Sequence, residues 1–94
     1  MPNQLMNNCE QQKLYLQNGA EVKRWVMVEV STVEGVPAHK LRCMYCLGAV
    51  RVHKQQVPHG PKDHVKHRSR QDSEGCRGGV YFEGEHRVSM QPVT

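Results

Sequence analysis

Cys43-Met44-Tyr45-Cys46 constrains this chain more than any other stretch. Two cysteines separated by two residues can turn both sulfurs to one side. His64 and His67 follow with the same spacing, and Cys76 comes after them. Thiolate sulfur and imidazole nitrogen are the donors that zinc takes, and structural zinc sites usually close with four. Cys43, Cys46, His67 and Cys76 make such a set, with His64 as the reserve for His67. Gly48 lies where a turn that aims main-chain amides at the sulfurs calls for a permissive residue. Cys9 stands apart and reads as a buried or free thiol.

Composition sharpens the need for a staple. Only 37% of the 94 residues are hydrophobic, so any core is small. Chains of this size often add a metal or disulfides. The first residues show no basic segment followed by an apolar run, so no secretory signal is expected. No stretch approaches the roughly 18 apolar residues of a membrane span. These features read as an intracellular, cytoplasmic protein, where thiols stay reduced and metal binding outranks disulfide formation. The expectation is a single zinc-stabilised domain over residues 1–94, frayed over 1–12, holding one structural zinc.

Charge is segregated. Residues 38–70 carry Lys40, Arg42, Arg51, Lys54, Lys62, Lys66, Arg68 and Arg70 against Asp63 alone, net +7, while the flanks are net −1 and −2. A patch facing an acidic partner requires this pattern. Arg51, Lys54, Lys62, Lys66, Arg68 and Arg70 are the candidate phosphate contacts, with Tyr45 the candidate stacking residue. No recognition helix is visible, so the expectation is non-catalytic binding of nucleic acid without base reading. The alternative partner is an acidic protein surface, met by an adaptor or inhibitor of a larger complex.

The expected fold class is mainly β, with a small α+β domain as the variant: an antiparallel sheet, a zinc knuckle and a long metal-held loop. Residues 22–33 read as a strand with apolar groups on both faces, hence central. Residues 8–17 fit either a helix stopped by Asn18-Gly19 or a strand entering a type I′ turn there. Residues 39–43 and 49–54 alternate on either side of the cysteine pair. Residues 55–79 lose all period and read as a loop held by metal, with one helical turn at 63–67 placing His64 and His67 together. Residues 80–90 read as a final hairpin.

Over residues 41–76 this pattern resembles small zinc-ribbon and zinc-knuckle domains at the level of motif. The second half differs, because a ribbon supplies a second C-x2-C or C-x2-H pair. Residues 43–70 are also similar to the motif of HNH endonucleases, in which an Asp-His pair follows a C-x2-C hairpin. That resemblance implies His64 as general base beside a catalytic divalent metal, and a metal-dependent nuclease as a second alternative function. Such enzymes also use a downstream Asn and a helical His, and Gln71–Thr94 contains no Asn.

Overall fold

The computed structural model describes residues 6–94. Strand β1 spans Asn8–Gln17 and β2 spans Ala20–Glu29. They pair antiparallel in one unbroken register from Asn8↔Glu29 to Gln17↔Ala20. Asn18 and Gly19 join them with φ of 53° and 79°. Two successive positive φ values mark the type I′ turn, whose twist matches that of the strands. The strand reading of residues 8–17 therefore holds and the helix reading falls. Of the stretch 1–12, residues 1–5 lie outside the described residues, Met6 is buried, and Asn8 onward belongs to β1.

β2 is shorter than its sequence pattern and is not central. It stops at Glu29, and Val30–Thr32 forms a 3-10 turn. Strand β3, Leu41–Arg42, follows a second such turn at Ala38–Lys40 and pairs with β1. The sheet order is thus β2-β1-β3, with β1 in the middle. Arg42 ties the three strands together. Its guanidinium lies 4.1 Å from the centre of the Trp25 ring on β2. Its Nε donates to Glu10 Oε1 on β1 at 2.7 Å, and its Nη1 donates to the Val93 carbonyl at 2.9 Å.

Strands β4, Val50–His53, and β5, His64–His67, form a separate antiparallel pair. The arms flanking the cysteine turn therefore do not pair with each other: β3 joins the first sheet and β4 the second. The expected loop at 55–79 contains β5 and a short helix α1, Arg70–Gly75. Ser69 caps α1, its Oγ accepting from the Asp72 amide at 3.3 Å, which satisfies an orphan donor of the first turn. The final hairpin does not form, and residues 76–94 contain no strand. Their main-chain donors are used elsewhere: Glu83 N–H on Glu74, Arg87 N–H on Gly75, Ser89 N–H on Cys46 and Val93 N–H on Leu47. The tail wraps α1 and the cysteine turn instead of pairing with itself.

The core lies between the two sheets and consists of Met6, Cys9, Val30, Val33, Leu41, Cys43, Cys46, Val50, Val65 and Cys76. It holds no aromatic ring, and four of its members are thiols. The molecule is thin, 48 × 34 × 16 Å, with little apolar thickness to bury.

Candidate metal centre

The site assembles from three places in the chain. Cys43 and Cys46 come from the turn between β3 and β4. In this turn Cys43 N–H donates to the Gly48 carbonyl at 2.9 Å, and Leu47 N–H donates to the Cys43 carbonyl at 3.0 Å. The left-handed residue is Leu47, with φ of 65°, and not Gly48. Gly48 is needed for a different reason. A Cβ there would run into the Asp72 carboxylate of α1 and lie 3.2 Å from Ser89 Cβ. The absent side chain lets α1 and the tail close over the turn.

His67 comes from the end of β5. Residues 63–67 were expected to make a helical turn with both histidines on one face, and they form a strand instead. Side chains of a strand alternate, so residues three apart face opposite ways. The cross-strand pairs Val50↔His67 and Val52↔Val65 put His67 on the core side. Arg51↔Lys66 and His53↔His64 put His64 on the other side. There His64 stacks on His53 with ring centres 5.2 Å apart, and its Nδ1 lies 2.7 Å from the Lys62 carbonyl. Cys76 follows α1.

Cys43, Cys46, His67 and Cys76 converge, with their ligand atoms all within 4.8 Å of one another. All four cysteines of the chain are free, and all are buried. Cys43 Sγ and Cys76 Sγ lie 3.6 Å apart. Two sulfurs on one tetrahedral zinc, each about 2.3 Å from the metal, stand roughly 3.8 Å apart. Main-chain amides point at each sulfur: Tyr45 N–H at Cys43 Sγ, 3.3 Å; Gly48 N–H at Cys46 Sγ, 3.4 Å; Gly78 N–H at Cys76 Sγ, 3.4 Å. Such donors favour the thiolate form that a metal takes. His67 Nε2 is buried and has no hydrogen-bond partner. A buried polar atom without a partner is costly and calls for an explanation. A cation held by these four side chains supplies one.

Electrostatics agree. Hydrogen bonds from the Cys46 and Cys76 side chains hold the Cys43 thiol well below its ordinary range, against the opposing effect of burial. Burial works against a charged His67. The close approach of the Cys43 and Cys76 sulfurs outweighs it and pushes His67 up to about 9. Cys46 is pushed the other way, by its hydrogen bonds with Cys43 and Cys76 and by burial, so a metal taking all three sulfurs must displace a proton there. Cys9 behaves differently: burial first, then the neighbouring Cys43 and Glu10, push its thiol up to about 11. It packs in the core as a protonated thiol and is not one of the clustered ligands.

With this donor set on the page, the match to known sequences can be stated. The chain belongs to a family of uncharacterised proteins, whose model matches residues 2–94. Neither the curated proteins nor the solved structures contain a match to it. The three-cysteine, one-histidine cluster fits a zinc-binding motif. Among the described residues, no helix is long and apolar enough to cross a membrane.

The candidate basic contacts divide. Lys66, Arg68 and Arg70 line one cleft together with His67, Ser73, Val80 and Tyr81. Arg51 stands beside it, paired across the strands with Lys66. Lys54 is engaged elsewhere, with Asp63 Oδ2 at 3.4 Å and the Val30 carbonyl at 3.1 Å. Lys62 lines a different cleft with Asp63 and Glu29. Tyr45 lies apart from the cationic cleft, with Arg77 5.3 Å above its ring. Tyr81 and Ser73 had no local signal in the sequence. Tyr81 enters the cleft because Arg70 stacks over its ring at 4.4 Å, and Ser73 Oγ accepts the Tyr81 amide at 3.2 Å. His64, the general base implied by the nuclease resemblance, is buried with its Nδ1 committed to a carbonyl. It is not among the residues of the one cluster of potential metal ligands found among the described residues.

Proposed function

We propose that this protein is a small, non-catalytic module, a single domain stapled by one structural zinc on Cys43, Cys46, His67 and Cys76, that binds the phosphate backbone of nucleic acid. The observation carrying this reading is the cleft beside the metal centre. Lys66, Arg68 and Arg70 converge on it and Ser73 and Tyr81 add hydroxyls; Arg70 also pairs with Glu74 at 3.2 Å, and Arg68 Nε donates to the Val50 carbonyl at 3.1 Å. Arg51 faces Lys66 directly across the β4–β5 pair. Like charges placed opposite each other destabilise a strand pair, and among the described residues neither side chain has an ion-pair partner. A polyanion relieves that repulsion. Arg51 and Lys66 also help to hold the His53 imidazole below its usual value, after burial and His64. The cleft offers cations and one exposed ring and no element shaped for a groove, which suits backbone contact more than base reading.

The test is binding of labelled duplex and single-stranded DNA by the zinc-loaded protein, with the triple variant Lys66→Ala, Arg68→Ala, Arg70→Ala alongside. The variant is expected to keep its metal and its melt. It should bind at least about tenfold more weakly, with a shallower salt dependence, since each lost duplex phosphate contact removes about 0.9 from the slope. Unchanged affinity in the triple variant refutes the cleft. Binding of an acidic protein that DNA does not displace would favour the adaptor reading.

A further inference from the structure

β2 borders its sheet and, among the described residues, has no strand on its outer side. The turn register shows which of its groups face out. Gln17 and Ala20 flank a two-residue type I′ turn, so they exchange both main-chain hydrogen bonds. Alternation from there ties Val22, Arg24, Val26 and Val28 to β1. It turns the N–H and C=O groups of Lys23, Trp25, Met27 and Glu29 outward. Among the described residues no main-chain group pairs with them, and only the Glu29 carbonyl is used, by Thr32 Oγ at 2.7 Å. Long edges are usually blunted by charged side chains, proline or a bulge, because they template the addition of another strand. β2 contains no proline, and its register runs without a bulge.

The charges on this edge say which strand fits. Lys23 and Glu29 are both exposed, and among the described residues neither has an ion-pair partner. A second copy of β2 laid antiparallel about Val26 sets Lys23 opposite Glu29 of the second copy, at both ends of the contact. Trp25 then lies opposite Met27 between them. This register joins outward-facing residues to outward-facing residues, as a ladder requires, and forms about eight main-chain hydrogen bonds. It also covers Met27, which is 67% exposed. The register centred on Trp25 instead sets Glu21 against Glu29 at both ends, where like charges repel.

We infer that this protein forms a two-fold symmetric dimer through β2, joining two three-stranded sheets into one continuous sheet. The contact is independent of the metal centre and of the cationic cleft. A contact of one strand on one strand is small beside the roughly 2,000–5,000 Å² of obligate homodimers, so the dimer dissociates on dilution.

Sedimentation velocity of the zinc-loaded full chain, from about 5 to about 200 µM, reads this equilibrium by mass action. Wild type is expected to shift from monomer to dimer across the range. Lys23→Glu and Glu29→Lys each replace two attractive pairs by repulsive ones and should weaken the dimer about tenfold or more. The double variant Lys23→Glu, Glu29→Lys should recover wild-type association to within a few-fold. Met27→Pro removes an outward N–H while leaving the bonds to β1, a place where edge strands tolerate proline, and should be monomeric with its metal retained. A wild-type monomer at the highest concentration overturns the inference. So does a dimer indifferent to the single swaps, or one that the double swap fails to restore.

Discussion

The β1–β2 hairpin and the cysteine-bearing half of the molecule are held by opposite means. The hairpin consists of ten-residue strands joined by two residues, and every pairing in it is set by one turn. Its far end has almost no core: Leu14 is 56% exposed and Leu16 is 80% exposed. The cysteine half has strands of two and four residues, too short to persist alone. Yet its three clustered cysteines are 0% exposed. Regular pairing without burial stands beside burial without regular pairing. Local bonding fixes geometry cheaply but leaves a structure that opens easily. Convergent ligands fix a core that opens only with the whole molecule.

The largest test of this contrast is to take the metal away. Cys43→Ser, or a chelator, is expected to abolish the cooperative thermal melt. Zinc contributes roughly 10–16 kcal/mol in small metal-folded domains, comparable to or above the roughly 5–15 kcal/mol that holds a whole domain. A serine variant that melts cooperatively, without metal and with its sheet signal intact, refutes the staple. Next in size is the contrast between the two histidines. His67→Ala should lose most of its bound zinc by elemental analysis, whereas His64→Ala should retain a full equivalent. Equal loss in both would mean that strand parity does not choose the ligand.

Smaller still is Gly79→Ala. A Cβ at this position would overlap the Ser73 carbonyl of α1, and main chain cannot swing aside. Destabilisation of about 2–3 kcal/mol is expected from such overpacking, read as a lower denaturation midpoint with zinc content unchanged. The smallest effect belongs to the hairpin. Gly19→Ala meets nothing in space but must hold a left-handed φ of 79°, costing about 1–2 kcal/mol. Amide exchange should accelerate over residues 13–24 and leave the ligand loops untouched. Acceleration that spreads to Cys43–Leu47 would show the two halves to be one cooperative unit.

The parts legible in the sequence were those written locally. Asn18-Gly19 marks its turn because only residues tolerant of positive φ make type I′ geometry. The C-x2-C pair marks its turn because its spacing serves one metal. Alternating valines marked β2, but not its place at the sheet edge, since apolar groups on both faces served a bare arm rather than a central strand. What stayed hidden depends on distant partners. β5 has only the four residues His64–His67, and Val65 N–H is bonded to the Met6 carbonyl, far away in the chain. The supposed hairpin at 80–90 had strand-like residues, yet its amides belong to Glu74, Gly75, Cys46 and Leu47. The three cysteines of the site and His67 were readable, and strand parity set aside His64. The cleft was half readable: Lys66, Arg68 and Arg70 follow one another, while Tyr81 reaches them only through the fold.

The clustered side chains are also ordered in time. Cys43 and Cys46 leave the ribosome well before His67, and Cys76 follows after α1. A hairpin closes in about 1–10 µs, whereas synthesis at roughly 5–20 residues per second separates Cys46 from Cys76 by seconds. Throughout that interval the nascent chain carries a finished β1–β2 arm, with Cys9 in it, and the unsatisfied thiols of Cys43 and Cys46. The four-residue cluster of each copy is therefore complete only once its last cysteine is out.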